Sequence, residues 1–223
     1  DAPVDPRFAY RVRGRLDGAV YTSFTVECGK PDGSMGERLG GVLNDTEIDV
    51  DSEGRFELFI GGEQRARGWL PLPDDAFRIT TRHYFEDEAP AAADPARNFA
   101  LSIEPLSEEP APPTPDDESV AAGIERVCNF LRSRTLDMPP MANTEMPAFV
   151  SKVPNVFPPP VLAGDQALAA ADAAYSMAPF FLGPDEALVM RMRWPECRVG
   201  SVVLWNRHMQ TFDYVNRSVS LNR

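Results

Sequence analysis

The sequence has very few of the residues on which disulfide and metal chemistry depend. It contains three cysteines, Cys28, Cys128 and Cys197, and two histidines, His83 and His208. The cysteines are odd in number, far apart and without a Cys-x-x-Cys pair, which argues against a disulfide framework or a cysteine zinc site. We expect them to be small buried apolar residues in a reducing, cytoplasmic setting. Neither histidine has a second histidine or a cysteine at ligand spacing, so we predict no metal site.

Lysine is nearly absent as well, and the formal net charge is −12. Neutralising phosphates requires a concentrated basic surface, which this sequence lacks, so we predict no nucleic-acid partner. No apolar run approaches the roughly 20 residues that span a bilayer, so no membrane span is predicted. The chain begins at Asp1, which leaves open a leader that has been removed. Neither a phosphate-binding glycine loop nor a dinucleotide fingerprint occurs, so no cofactor is implied.

Proline is abundant, with 22 residues, and its uneven placement divides the chain into three segments. Residues 1–88 form a first β-unit, residues 89–183 a connector, and residues 184–223 the start of a second, similar β-unit. Strands of alternating polarity, such as FAYRVRGRL and VYTSFTVE, are separated by turn signals, including Asp17-Gly18, which predicts a hairpin. We therefore predict a mainly β fold, an antiparallel sandwich or open barrel with a helical, proline-rich insert. The alternative is two small β-domains joined by a helical linker.

The connector contains two predicted helices. The first covers residues 116–136, where acidic residues suit the N-terminus and apolar residues recur at helical spacing. The second covers residues 164–178, with Asp165 as its cap. A short strand is predicted around Phe99, Leu101 and Ile103. Between the helices, residues 139–160 are rich in proline and apolar groups, so we expect this stretch to be extended and packed along the body of the protein.

The acidic stretch NDTEIDVDSEGRFELFI, residues 44–60, has two interpretations. Its carboxylates suggest a calcium loop, but an EF-hand loop beginning at Asp49 needs a bidentate Glu where Ile60 stands. The flanking residues also alternate with period two, as strands do. We therefore predict a hairpin in which Gly54 takes a positive φ at the turn. A calcium site of another kind at Asp45–Glu53 stays open at this point.

The second β-unit echoes the first with an offset of 180. Residues 11–13 (RVR) fall on residues 191–193 (RMR), and YTSFTVE falls on SVVLWNR. In the first unit, LND leads into the acidic stretch, whereas the second unit reaches SLNR and stops. We expect the natural polypeptide to continue with an acid-Gly turn, a Trp-Leu strand and a final aromatic strand. The mass of the intact protein tests this.

Several pieces, YRVRG, YTSFTVECG, LNDTEIDVDSEGRFELFIGGE, GWLPLP, RHYFEDE and LWNRHMQTFDYVNRSVSLNR, resemble the bacterial family called domain of unknown function 1214. The resemblance covers both β-units. It implies a β-rich, sandwich-like fold with a helical insert, and it brings neither an established activity nor catalytic residues. In that family the C-terminal pattern runs on into a further Asp-Gly hairpin and an Asn-Trp-Leu strand.

The richest polar cluster lies in LWNRHMQTFDYVNR, residues 204–217. It combines aromatic faces with planar donors, which can hold a sugar, carboxylate or sulfate by stacking and bidentate bonds. An alternative reading is a strand pair with Trp205 and Phe212 in the core and the polar groups solvated. In an enzyme, His208 would act as acid/base, oriented by Asp213 or Arg207. The predicted ligand-binding residues are Trp205, Asn206, Arg207, Tyr214, Arg217 and His83.

Three functions follow from these observations. The leading hypothesis is a protein that binds a small organic molecule or carbohydrate in a cleft between the sheet and the insert. The second is an enzyme that acts on a small organic substrate in that cleft. The third is an assembly module whose proline-rich arms wrap a neighbouring subunit in a homo-oligomer.

Overall fold

β-Structure dominates the computed structural model of the protein, as predicted. It describes residues 1–87, 94, 96, 100–108, 114–138, 145–214 and 216–222. In these ranges the strands and the single α-helix are, in chain order, β1 (Ala2–Pro3), β2 (Tyr10–Arg15), β3 (Tyr21–Cys28), β4 (Arg38–Asn44), β5 (Arg55–Ile60), β6 (Trp69–Leu70), β7 (Ala76–Tyr84), β8 (Leu101–Pro105), α1 (Asp117–Arg134), β9 (Val161–Leu162), β10 (Ala174–Tyr175), β11 (Ser201–Val203) and β12 (Ser220–Asn222).

Two four-stranded sheets form the main body. Sheet A has the strand order β1-β7-β3-β4 and sheet B the order β6-β5-β2-β8. All neighbouring strands in these sheets are antiparallel except β5 and β6, which run parallel. Inward-facing residues of both sheets make one apolar core, the arrangement of a β-sandwich. The buried core residues are Tyr10, Val12, Phe24, Val26, Cys28, Leu43, Ile48, Phe56, Leu58, Ile60, Leu70, Ala76 and Ile79.

Strand β5 shows why the alternating pattern produces this core. Phe56, Leu58 and Ile60 are buried, whereas Arg55 and Glu57 are exposed and Phe59 is half-buried. Successive side chains of a strand point to opposite faces, so an alternating sequence places all its apolar groups on one face of the sheet. The same period orders β2 and β3.

The turn at Asp17-Gly18 forms as predicted, but it does not close a hairpin. Both residues have positive φ, 48° and 88°, and Ala19 N donates to Leu16 O at 2.8 Å. The flanking strands belong to different sheets, since β2 pairs with β5 and β8 while β3 pairs with β4 and β7. The hairpin prediction was wrong because the inner faces of β2 and β3 are both apolar and meet across the core.

The acidic stretch forms a tight turn rather than a long hairpin. Gly54 has φ +78° as predicted, and Val50 and Phe56 form a single antiparallel bridge. Strand β5 then pairs with β2 and β6 instead of with the stretch before the turn. The five carboxylates all have protein partners: Asp45 with Arg198, Glu47 with the backbone N–H of Asn44, Asp49 with Arg67, Asp51 with two backbone N–H groups, and Glu53 with Arg55.

Strand β8 belongs to the first β-unit. It pairs with β2 along its length, from Tyr10–Pro105 to Gly14–Leu101. The predicted boundary at residue 88 therefore separates a strand from the sandwich that it completes. Phe99, predicted for the same strand, lies outside the described residues.

Helix α1 confirms the first predicted helix. Asp116 is the N-cap, its side chain accepting from Ser119 N, and basic residues occupy the last turn. An apolar stripe runs along the helix, and its members are each more than half exposed: Val120, Ile124, Val127 and Leu131. The sequence predicted the stripe but not that most of it would face solvent.

The second predicted helix does not form. Only a 3-10 turn, Gln166–Leu168, occurs in residues 164–178, followed by the short strand β10, which pairs with β9. Leu168 has φ +54°, outside the helical region. Residues 139–144 of the proline-rich stretch lie outside the described residues. In the remainder, Phe149 is buried against Tyr175, whereas Val153, Val156 and Phe157 are exposed, so the expected packing holds only in part.

The second β-unit contains fewer strands than predicted. Residues 186–194 (EALVMRMRW) form no strand; among the described residues of this unit, β11 pairs with β12, and Trp205 and Thr211 form one isolated bridge. The register of that pair repeats the register of β3 and β4: adding 178 to Ser23–Asn44 gives Ser201–Asn222. This equivalence differs by two residues from the predicted offset of 180.

The cysteines differ from the expectation that all three are buried. Cys28 is buried in the core, Cys197 is half-buried and Cys128 is exposed on α1. Burial raises the pKa of the Cys28 thiol to about 11, so it stays protonated and packs as an apolar group. Across the residues that the structure describes, no helix combines the length and hydropathy of a membrane span.

Candidate functional site

The outer faces of the two sheets differ in how far they are exposed to solvent. On sheet B, Arg11 and Arg13 form ion pairs with Glu57 and Glu104 in a partly solvated network. On sheet A, the outward-facing Ser23, Thr25 and Glu27 are buried although they are polar. Buried polar groups need partners, and strand β7 supplies those of Thr25 and Glu27 through Arg82, Arg78 and Thr80.

Residues 163–175, here called the strap, cover one half of that face. The Asp172 carboxylate accepts hydrogen bonds from the Tyr21 hydroxyl at 2.6 Å and from Asn44 Nδ2 at 2.8 Å. Arg82 donates to Leu168 O at 3.0 Å. Burial, and after it the bond to Asp172, raises the pKa of Tyr21, so the phenol keeps its proton and remains a donor. The strap is thus fixed to sheet A by polar contacts.

Over the other half lies a cleft between sheet A and the C-terminal end of α1. Its volume is about 490 Å³, within the range of small-molecule sites. Four separate parts of the chain contribute to its walls: Asp1; Glu27, Arg78 and Thr80 of sheet A; Phe130, Leu131, Arg134 and Thr135 of the helix end; and His208 and Gln210.

Glu27 is the most buried group of the cleft, with 4% of its surface exposed. Its carboxylate forms an ion pair with Arg78 Nη2 and accepts a hydrogen bond from Thr80 Oγ1 at 2.6 Å. The three residues are cross-strand neighbours, since Glu27 pairs with Arg78 in the β3–β7 register. This ion pair fixes the floor of the cleft.

Two arginines of the cleft retain unused donors. The Nε atoms of Arg78 and Arg134 are buried, and neither has a hydrogen-bond partner among the described residues. The guanidinium of Arg134 lies 4.5 Å from the centre of the Phe130 ring, over its face. Buried donors without partners are rare in proteins, because each is costly to desolvate.

Within the predicted polar cluster, the turn at residues 206–210 brings His208 to the cleft. The Asn206 side chain builds this turn by accepting from the backbone N–H groups of His208 and Gln210. His208 Nδ1 lies 3.3 Å from Arg134 O at the end of α1. Since a carbonyl oxygen only accepts, Nδ1 is the donor in this contact.

The other predicted site residues of this cluster do not line the cleft. Asp213 accepts hydrogen bonds from Asn216 rather than from His208. Tyr214 is 71% exposed, and Trp205 is half-buried beside Thr211. Arg207 and Arg217 are also exposed. The structure thus brings His208 to the cleft and orients it with a helix carbonyl instead of Asp213.

His83 lies on the opposite face of sheet A from the cleft. Its ring packs edge-on against Phe24, with centroids 6.2 Å apart, and Nδ1 lies 3.2 Å from Thr22 Oγ1. Thr22 and Phe24 face the core between the two sheets. His83 is therefore not placed to bind the same ligand as His208.

The burial of His83 should make the stability of the protein depend on pH. Burial lowers its pKa from the ordinary 6.5 to about 4, so the unfolded chain binds a proton that the folded state rejects in this range. The contribution of the neutral His83 ring to the stability of the fold is complete above about pH 6.5. This contribution is lost as the pH falls toward 4. We expect the melting temperature to fall less between pH 7 and pH 4.5 in His83→Gln than in the wild type.

His208→Gln is the matched control, because this second histidine is exposed. Its melting temperature should follow the wild-type pH dependence. Equal slopes in His83→Gln and the wild type would contradict the burial argument.

Four residues that line the cleft were not predicted from the sequence as site residues: Glu27, Arg78, Thr80 and Arg134. The only signal was that β3 and β7 each alternate polar with apolar side chains. That pattern is typical of a solvated face and of a face covered by another segment. Local sequence does not distinguish these two cases.

Acidic and metal-ligating residues give no further site. Within the described ranges, no group of three or more His, Cys, Asp and Glu side chains is arranged to hold a metal ion. The carboxylates of the acidic stretch are paired with arginines or accept hydrogen bonds from backbone N–H groups.

Comparisons with known proteins bear on the fold. The sequence matches no protein-family model, and no curated protein matches it. Among solved structures, the chain is similar to an uncharacterised protein from Burkholderia cenocepacia, with a TM-score of 0.66, 23% identity, and coverage of 99% of this chain and 59% of that one. Another similar structure is the VPA0106 protein from Vibrio parahaemolyticus, with a TM-score of 0.34, 18% identity, and coverage of 47% and 27%.

The likeness to the Burkholderia cenocepacia protein supports the fold alone, since the identity is 23%. This chain spans 59% of that protein's length. The resemblance to domain of unknown function 1214 stays a prediction. The findings together establish a mainly β protein with antiparallel sheets and one helix among its described residues.

Proposed function

We propose that the protein binds a small organic molecule in the cleft between sheet A and the end of helix α1. The observation that carries this proposal is that four separate parts of the chain, with Arg78 and Arg134 among their residues, converge on a space of about 490 Å³. A ligand with an acceptor can bind to the guanidinium groups that line this space.

A small organic molecule is favoured over a carbohydrate. Sugar sites depend on flat aromatic platforms combined with planar donors. The aromatic residues predicted for that role, Trp205 and Tyr214, are outside the cleft, and its aromatic wall, Phe130, is stacked with Arg134.

The proposal is tested by ligand-observed NMR with a fragment library on the full chain, using one variant that fills the cleft. Thr135 lines the cleft and is exposed, so Thr135→Trp should occupy the space without disturbing the core. We expect fragments that bind the wild type to lose their bound signal with this variant.

Glu125→Trp is the matched control, because Glu125 is exposed on the same helix and does not line the cleft. Fragments should bind Glu125→Trp as they bind the wild type. If Thr135→Trp keeps every interaction, the ligand site lies elsewhere.

A further inference from the structure

The charged residues that line the cleft are Asp1, Glu27, Arg78 and Arg134. Arg78 is neutralised by Glu27, its buried partner. Arg134 forms no ion pair with any carboxylate in the part of the chain that the structure describes. The Asp1 carboxylate is 3.8 Å from Arg78 and more than half exposed, so water screens it strongly. Both carboxylates of the cleft are thus paired with Arg78, and among the described residues Arg134 has no carboxylate partner, in a protein whose overall formal charge is −12.

The guanidinium of Arg134 is held in a defined orientation. It stacks on Phe130, with 4.5 Å from its central carbon to the ring centre. Stacking uses the flat face of a guanidinium and leaves the N–H groups at its edge, where they match the geometry of a carboxylate.

An apolar surface begins beside this arginine. Leu131 lines the cleft next to Arg134, and Val127, Ile124 and Val120 continue the stripe along α1 at helical spacing. The stripe is exposed and leads away from the charged end of the cleft. A ligand with a charged head at Arg134 could lay an apolar chain against Leu131 and Val127.

Resting on the proposed function, we infer that the ligand is a monocarboxylate with an extended apolar chain. A carboxylate supplies the partner that Arg134 lacks among the described residues, and its geometry matches the N–H groups at the edge of a guanidinium. The apolar chain covers exposed side chains of the helix stripe and removes them from water. A polyanion fits less well, because Glu27 already supplies one negative charge to the floor of the cleft.

Isothermal titration calorimetry of the full chain with octanoate, octan-1-ol and acetate tests the inference. Octanol removes the charge and acetate removes the apolar chain. A hydrogen bond to a charged group contributes roughly 1.5–3 kcal/mol, or about tenfold or more in affinity. We expect octanoate to bind at least about tenfold more tightly than either probe.

Two variants and one control locate the site. Arg134→Gln should weaken octanoate binding by about tenfold or more and leave octanol binding unchanged. Leu131→Ser, at an exposed position, should weaken octanoate but not acetate. Arg132→Gln is the control: Arg132 neighbours Arg134 on the helix but pairs with Asp137 outside the cleft, so binding should match the wild type.

The outcomes separate the two proposals. If octanol binds as tightly as octanoate, or if Arg134→Gln binds octanoate like the wild type, the ligand class is wrong while fragment binding blocked by Thr135→Trp still supports the cleft. If neither the probes nor the fragment library bind the wild type, the proposed function fails together with the inference.

Discussion

Replacing Glu27 with alanine is expected to lower the free energy of unfolding by about 3 kcal/mol or more. Glu27 is 4% exposed, and its removal leaves the partly buried Arg78 without its counter-charge. Thr80 Oγ1 also loses its acceptor. Urea denaturation of wild type and variant measures the difference, with an unchanged m-value showing that the same surface unfolds.

Glu57→Ala is the matched control for Glu27→Ala. Glu57 is likewise a strand glutamate paired with arginines, but its side chain is 41% exposed. Exposed ion pairs contribute about 0–1 kcal/mol, so this variant should change stability little. The double variant Glu27→Leu/Arg78→Met should recover much of the loss, because it leaves no buried charge. Equal losses in Glu27→Ala and Glu57→Ala would contradict the assignment of Glu27 as a buried ion-pair partner.

Replacing Phe24 with alanine is expected to destabilise the protein by about 3–5 kcal/mol. Phe24 is fully buried between the two sheets and meets the Phe56 ring edge-on at 5.6 Å between centroids. The substitution removes apolar contacts and leaves a cavity that the rigid sheets fill only in part. The midpoint of urea denaturation should fall accordingly.

Phe181→Ala provides the comparison at an exposed position. Phe181 is 79% exposed, so its truncation should change stability by less than about 0.5 kcal/mol. A loss in Phe24→Ala no larger than that in Phe181→Ala would mean that the two sheets do not share one core.

The strands of the sandwich could be predicted because apolar residues recur at every second position of the sequence. In RFELFI, for example, alternate residues are apolar, and Phe56, Leu58 and Ile60 face the core. The first helix could also be predicted, since Asp116 caps it and an apolar residue recurs every three or four positions.

The second predicted helix shows where propensity fails. Residues 164–178 are rich in alanine, the best helix former. Short isolated helices are marginal in water, so tertiary contacts readily override that preference. Here the competing contacts are the bonds of Asp172 to Tyr21 and Asn44, which hold the segment as a strap over sheet A.

The candidate site was predicted in part. The sequence indicated a cleft between sheet and insert and named His208, which does line a cleft there. It did not indicate Glu27, Arg78 or Arg134. A buried arginine in an alternating strand has the same sequence neighbours as a solvated one. Only the tertiary structure shows whether the arginine is buried.

The sequence by itself determined the alternating strands, the helix with its cap and the Asp17-Gly18 and Gly54 turns, because these depend on neighbours within a few residues. Only the tertiary structure decided which sheet face is covered and where the cleft lies. Glu27 and Arg78 are 51 residues apart, and His208 and Arg134 are 74 apart. Such pairs meet because the two apolar sheet faces must pack together and the connector must satisfy the polar face that remains, a condition of the whole chain rather than of any segment.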